Sequence, residues 1–218
     1  MPEAPIKAPI RSARRAKPRP NDTRRLARYH AFMTAAMSRE QVADRIAQTA
    51  LLRGTFTLRS GRTSSYYLDK YLFSTQPDIL GALGEMFARR IAELRRAGVP
   101  VTKLAGAELG GIPLVSSASM ASGLPCLFIR NRKKEYGTAR QLEGTLQAGD
   151  RVVIIEDVAT TGGQVLEVAR VIAETGAEVV KIICTIDREE GARENIEAAG
   201  YAFDALFTVA DLGIEKEA

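Results

Sequence analysis

Residues 152–164, Val-Val-Ile-Ile-Glu-Asp-Val-Ala-Thr-Thr-Gly-Gly-Gln, restrict the possible folds of this chain more than any other stretch. Four β-branched residues in a row, Val152 to Ile155, predict a strand buried on both faces, the pattern of a parallel sheet. Glu156 and Asp157 are expected where that strand ends. Thr160, Thr161, Gly162 and Gly163 then form a loop of small residues, and Val165 to Glu174 have helical spacing. A strand, an acidic pair and a small-residue loop opening a helix suit a phosphorylated sugar. Loop amides and threonine hydroxyls face an anion at the helix N-terminus, and glycine lets the backbone approach closely. The carboxylates can accept hydrogen bonds from ribose hydroxyls or help hold a metal. A plain turn with a solvated acidic pair is the weaker reading, because adjacent Asp and Glu at a buried strand's end add repulsion without structural return. No Gly-Lys-Ser/Thr follows the loop and no Gly-x-Gly-x-x-Gly is present, so neither a Walker loop nor a dinucleotide fingerprint is indicated.

The rest of the chain fits repeated strand–helix units. Lys103–Ala105, Pro125–Arg130, Glu178–Ile186 and a segment near Ala205–Val209 are strand-like, with helices expected over about 113–121 and 190–199. Continuously apolar strands alternating with helices predict an α/β fold: a doubly wound, mostly parallel sheet with helices on both faces. Ahead of it, Ser38 and Gln41 form a capping-box pattern before a helix with Val42, Ile46, Ala47 and Leu51 on one face. Gly54 is expected to open a strand over Thr55 to Leu58, and Tyr66 to Asp69 a second extended piece. Together these make a small cap over about residues 38–70. A long helix follows Pro77 to about Arg96, with Leu80, Leu83, Phe87 and Ile91 in line.

Charge narrows the function classes. The net charge of +5 invites a nucleic-acid reading, but residues 1–36 hold nine Lys or Arg against Glu3 and Asp22, a balance of +7. The other 182 residues therefore carry −2, and nucleic-acid binding is not expected of the globular part. The basic stretch has Pro2, Pro5, Pro9, Pro18 and Pro20 and is expected to be a disordered extension ahead of one domain over 37–218. A targeting peptide, a basic arm, and an upstream piece before a start at Met33 or Met37 are the competing readings, and the last two together are favoured. Cys126 and Cys184 lie in apolar runs and read as buried thiols of a reducing, cytoplasmic compartment. No apolar run is long enough to span a bilayer. His30, the one histidine, falls in the extension. Chemistry in the domain must then run on carboxylates, Lys, Arg, Tyr, backbone amides and a bound ion.

Three further loops are expected at the same sheet edge, where open α/β folds bind ligands. Ala107 to Pro113 carries Gly110 and Gly111 between a strand and a helix, which suits amides holding a diphosphate, or else a plain turn. Arg130 to Arg140 is dense in cations and sits between two core strands. It is either a solvated loop or a closing lid for a substrate with several phosphates. Asp187-Arg188-Glu189-Glu190 ends the strand after the acidic pair. Asp187 can cap the next helix, and Arg188 offers a planar fork suited to a carboxylate.

The 152–164 stretch resembles the phosphoribosyl-pyrophosphate (PRPP) signature of type I phosphoribosyltransferases. Gly54-Thr55-Phe56-Thr57-Leu58-Arg59-Ser60-Gly61 and Ser64-Ser65-Tyr66-Tyr67-Leu68-Asp69, together with Asp187 to Glu190, extend the resemblance to the orotate phosphoribosyltransferases over about residues 38–212. That resemblance implies transfer of a 5-phosphoribosyl group from PRPP to orotate, giving orotidine 5′-monophosphate and diphosphate in pyrimidine biosynthesis. It implies PRPP binding by Arg59, Leu109, Gly110, Arg130, Lys134, Tyr136, Glu156, Asp157, Val158, Ala159, Thr160, Thr161, Gly162, Gly163 and Gln164. Orotate would meet Tyr67, Leu68, Thr160 and Arg188, and catalysis would draw on Asp157, Glu156 and Lys134. Mg²⁺ would be held mainly through PRPP, without direct side-chain ligation, with Asp157 reaching it through water. A cytoplasmic homodimer sharing its lids is also implied. This chain departs from common members at Arg59 in place of a lysine, at Asn131 in place of a second lid lysine, at Tyr136 in place of a histidine, and at Gly110 in place of a loop lysine. The alternatives are another phosphoribosyltransferase, using a purine or uracil, and a non-catalytic regulator binding PRPP or RNA on the same fold.

Overall fold

The computed structural model describes residues 37–57, 63–131 and 141–214. The expected extension over 1–36 lies outside the described residues, as do Arg59, Arg132, Lys133, Lys134 and Tyr136. The first helix, α1 (Arg39–Ala50), starts on the anticipated capping box: Ser38 Oγ accepts from Gln41 N at 3.2 Å, and Gln41 Oε1 from Ser38 N at 2.8 Å. Leu51 does not extend its stripe. It turns extended (φ −88°, ψ 106°) and opens β1 (Leu51–Thr57), because β2 (Thr63–Leu68) offers Leu68 and Tyr67 as antiparallel partners to Leu51 and Leu52. Gly54 accordingly lies inside β1, at a register shift between Arg53 and Phe56, and does not open the strand. A short helix absent from the sequence reading, α2 (Lys70–Ser74), follows at once, capped by Asp69 Oδ1 on Tyr71 N at 3.0 Å. Helix α3 (Pro77–Arg96) has the expected bounds and buries Ile79, Leu83, Phe87 and Ile91.

Among the described residues six strands form the main sheet: β3 (Lys103–Ala107), β4 (Cys126–Ile129), β5 (Leu142–Glu143), β6 (Arg151–Ala159), β7 (Glu178–Asp187) and β8 (Phe203–Thr208). Their spatial order is β5-β4-β3-β6-β7-β8, parallel except for the β4–β5 pair. Helices α4 (Gly111–Ser122), α5 (Gly163–Ala173) and α6 (Ala192–Ala198) connect them. The last starts two residues later than the sequence reading put it, because Glu189 (φ 56°) and Gly191 (φ 98°) first make a left-handed turn.

Strand β6 shows why the sheet is covered twice. Val153 and Ile155 pack into the layer containing α1, α3 and α4, whereas Val152 and Ile154 pack into the one containing α5 and α6. All four are fully buried, and each such side chain contributes about 1.5–3 kcal/mol of apolar burial. The strand also runs further than the sequence suggested: Glu156 and Asp157 lie within it, not beyond it, and hydrogen-bonded pairing with β7 continues through Ala159↔Asp187.

This strand order places the site. From β3 the chain moves outward to β4 and β5, then returns to add β6 on β3's other side. The crevice of an open α/β sheet therefore falls between the carboxyl ends of β3 and β6, where α4 and α5 leave on opposite faces.

Candidate active site

Two helix N-termini open onto that crevice. Gly110 precedes α4 and Gly162 precedes α5, and neither helix has a side-chain cap. Their leading amides are therefore left for an anion. Both glycines are required by their surroundings. Gly162 is left-handed (φ 80°), and a Cβ there would lie 2.9 Å from Ile196 Cγ1. A Cβ on Gly110 would overlap Asp157 Oδ2 and stand 2.7 Å from Asp157 Cγ. The loop between β6 and α5 is pinned from behind by Asn195 Nδ2 donating to Thr161 O at 2.9 Å. Across the crevice Asn131 N donates to Glu108 Oε1 at 2.8 Å, and Gln164 Nε2 to Asn131 Oδ1 at 3.2 Å. Three loops are thus tied together at one edge.

The acidic pair is buried, with 5 % of Glu156 and 1 % of Asp157 exposed. Lys70 Nζ pairs with Asp157 Oδ2 at 2.9 Å and donates to Oδ1 at 3.3 Å, while Val158 N donates to Oδ1 at 2.6 Å. Glu156 Oε1 accepts from Asp157 N at 3.0 Å, but its buried Oε2 has no hydrogen-bond partner among the described residues. Burial, and then the neighbouring Asp157 charge, push the Glu156 carboxyl well above its ordinary value. Burial alone would lower the Lys70 ammonium, yet the charges of Asp157 and then Glu156 hold it above its ordinary value. The two adjacent carboxyls thus stand in different surroundings, Asp157 held by Lys70 and an amide and Glu156 with one oxygen still to be paired, and both can hydrogen-bond to vicinal hydroxyls.

Arg188 directly follows the last residue of the adjoining strand β7. Its amide donates to Ala159 O at 2.9 Å, its guanidinium lies 5.8 Å over the Tyr66 ring, and Nη2 reaches Tyr66 Oη at 3.3 Å and Glu190 Oε1 at 2.9 Å. Among the described residues its buried Nε has no acceptor, a donor whose partner a ligand carboxylate entering beside it would supply. Asp187 does not cap α6. Its Oδ1 accepts from Glu189 N at 2.8 Å and so closes the turn that bears Arg188.

The phosphoribosyl transferase domain model matches residues 74–203. An orotate phosphoribosyltransferase of Pyrococcus abyssi is 41 % identical over 184 residues, spanning 82 % of this chain and 100 % of the relative. The chain belongs to the orotate phosphoribosyltransferase family. Two crystal structures of the Mycobacterium tuberculosis member agree with that placement. The complex with Fe(III) dicitrate has a TM-score of 0.70 at 30 % identity, covering 81 % of this chain and 99 % of that one. The complex with PRPP has a TM-score of 0.66 at 28 % identity, with the same coverage. The doubly wound, mostly parallel sheet is the fold of the family.

Within this family member, the structure brings Glu156 to Gln164, Leu109 and Gly110 to one crevice, with Leu109 exposed and Gly110 buried. Thr160 is half-buried one residue after Ala159, beside the Arg188 turn. Tyr67 is exposed and Leu68 buried, and flanking Tyr66 and Lys70 tie their segment across the ends of β7 and β6. Arg130 pairs with Glu143 at 2.8 Å at the foot of the 132–140 segment. Arg59, Lys134 and Tyr136 lie outside the described residues. Lys70 is the site residue that sequence reasoning missed. Its proximity to the Tyr66–Asp69 motif was visible, but nothing in the spacing shows that the first turn of α2 lies against β6.

Proposed function

We infer that the protein transfers the 5-phosphoribosyl group of PRPP to orotate, releasing diphosphate and forming orotidine 5′-monophosphate. The observation that carries this is a buried acidic pair between two helix N-termini without side-chain caps, with the Arg188 guanidinium just past the end of the adjoining strand. Relatives named for the same reaction support it. Breaking the bond at C1′ leaves positive charge on the ribose ring and extra negative charge on the diphosphate. Such a reaction needs pre-set charges and dry surroundings more than a proton-transfer group. Asp157 and Glu156 position the ribose hydroxyls, and the anionic member of the pair stabilises the ring. The amides of Thr161 to Gln164 hold the 5-phosphate, those of Leu109 to Gly111 the diphosphate, and Arg130, Lys134 and Arg59 add cations to it. Arg188 and Thr160 fix the orotate carboxylate and ring against the backbone of Tyr67 and Leu68.

Mg²⁺ belongs to this proposal as an ion carried by PRPP oxygens, where it would neutralise the departing diphosphate. The donor set fits that role: Asp157 is already engaged by Lys70 and an amide, and Glu156 is pushed toward its neutral form, so the pair suits contact through water. A cytoplasmic homodimer completes the proposal. Leu52 and Tyr67, cross-strand partners on the cap, are 40 % and 45 % exposed and offer an apolar surface for a second subunit. Among the described residues no helix is long and apolar enough to cross a membrane. The deciding assay is PRPP-dependent loss of orotate absorbance with and without Mg²⁺, run beside adenine, hypoxanthine and uracil. Consumption of orotate alone is the expected result. Turnover of a purine or uracil moves the assignment within the superfamily, and no PRPP consumption with tight RNA binding replaces it with a regulator.

A further inference from the structure

We propose that Lys70 is a positioning residue for the sugar site: an ammonium delivered from the cap that fixes the Asp157 carboxylate for the ribose. The proposal rests on the phosphoribosyl-transfer reading above and deepens it. Asp157 is 1 % exposed, and a buried carboxylate without a counter-cation gives up its charge or its place. Among the described residues the cation paired with it is Lys70, which meets both oxygens, at 2.9 and 3.3 Å. The β3–α4 loop supplies none from position 110, which is glycine here, and with Asp157 placed as it is a Cβ there would overlap its Oδ2. Lys70 therefore supplies from the cap the cation that position 110 of this chain does not.

Its place in the chain gives the pair a second consequence. Lys70 is the first residue of α2, directly after the Asp69 cap and two residues beyond Leu68. On the same segment Tyr66 touches Arg188. One stretch of five residues thus grips Arg188 at one end and Asp157 at the other. The sugar acid is in place when the cap is in place.

The test uses the full chain and four variants: Lys70→Met, Lys70→Arg, Asp157→Asn, and Lys70→Met with Asp157→Asn. Two quantities are read, PRPP affinity by calorimetry in the presence of Mg²⁺, and kcat and KM with orotate. Lys70→Met is expected to weaken PRPP binding and to lower kcat on the order of 10–100-fold, the usual effect of removing a side chain that orients a reacting one. The KM for orotate stays close to the parent value, and Lys70→Arg recovers most of the loss. In the Asp157→Asn background, Lys70→Met adds almost nothing, since its target is gone. Parental PRPP affinity and kcat in Lys70→Met overturn the proposal. So do losses that multiply in the double variant, which would mean that Lys70 acts on the substrate directly. Should the orphaned carboxylate unfold Lys70→Met, the double variant carries no such charge, and its PRPP affinity is compared with that of Asp157→Asn. Equal values support the proposal and unequal values overturn it. A parent protein that binds PRPP but ignores orotate would sink the functional reading, while the affinity comparison still judges Lys70.

Discussion

Glu156 places two demands on one side chain. Its burial beside Asp157 raises its proton affinity in the folded state, so folding takes up a proton at any pH between the unfolded value, about 4.3, and the raised one. Stability falls as pH rises through that window and is unaffected below it. Glu156→Gln removes this penalty while keeping the shape. The variant is therefore expected to melt above the parent at pH 7, with the gap closing below about pH 4, while its turnover drops because the hydroxyl-binding carboxyl is gone. Melting curves across pH combined with kcat check both halves, and a lower Tm at pH 7 would refute the assignment of strain. Arg188→Ala acts differently. It removes the fork whose Nε has no acceptor, so the KM for orotate is expected to rise roughly 10–100-fold, the range for lost charge-assisted hydrogen bonds, while PRPP affinity holds. Equal losses in both affinities would mean that the turn bearing Arg188 had collapsed. Both side chains stand out in the sequence by residue type and position. What the sequence could not convey was their environment: an acid looks polar wherever it stands, and here both acids are buried.

At the scale of elements, what could be read followed the strength of the periodic signal. Strand β6 and helix α5 announce themselves by a run of β-branched residues and a glycine-led helix, and α3 by a stripe twenty residues long with Pro at its start. The end of β6 lies beyond the point where its apolar run stops, because pairing with β7 carries the strand through Glu156 and Asp157. Helix α2 and strand β5, with five and two residues, are too short to have a period. They exist because of tertiary context: α2 is capped by Asp69 and rests Phe73 in the core, and β5 is bonded to the edge of β4. Close helix packing was equally hidden. Gly84 of α3 faces Ser117 of α4, where a Cβ would overlap Ser117 Oγ and sit 3.0 Å from the Ser117 backbone carbon and oxygen. Ser117 Oγ meanwhile donates to Leu80 O at 2.8 Å. Gly84→Ala must push these helices apart and disturb that bond, for an expected loss of about 1–3 kcal/mol despite alanine's better helix propensity. Urea denaturation measures it, and a gain in stability would show that the two helices yield freely.

Across the whole molecule the separation of charge is as telling as the fold. The positive balance of the protein resides in residues 1–36, and the remainder is slightly negative overall. The crevice follows from strand order: the switch between β3 and β6 sets two helix N-termini beside a buried acid, and the cap brings Lys70 and Tyr66 to the same edge. Anion affinity in the domain therefore comes from oriented amides and a few placed cations and does not need an excess of basic residues. Removal of residues 1–36 tests this division. Contacts group residues 36–218 as a unit of their own, and the family model matches inside it. The truncated protein is expected to keep the parental Tm, kcat and PRPP affinity, and to lose the salt-sensitive retention on a polyanion column that nine basic residues confer. If truncation instead weakened PRPP binding while leaving Tm intact, the extension would be a contributor to the site, and the charge needed for a multiply phosphorylated substrate would come partly from outside the sheet edge.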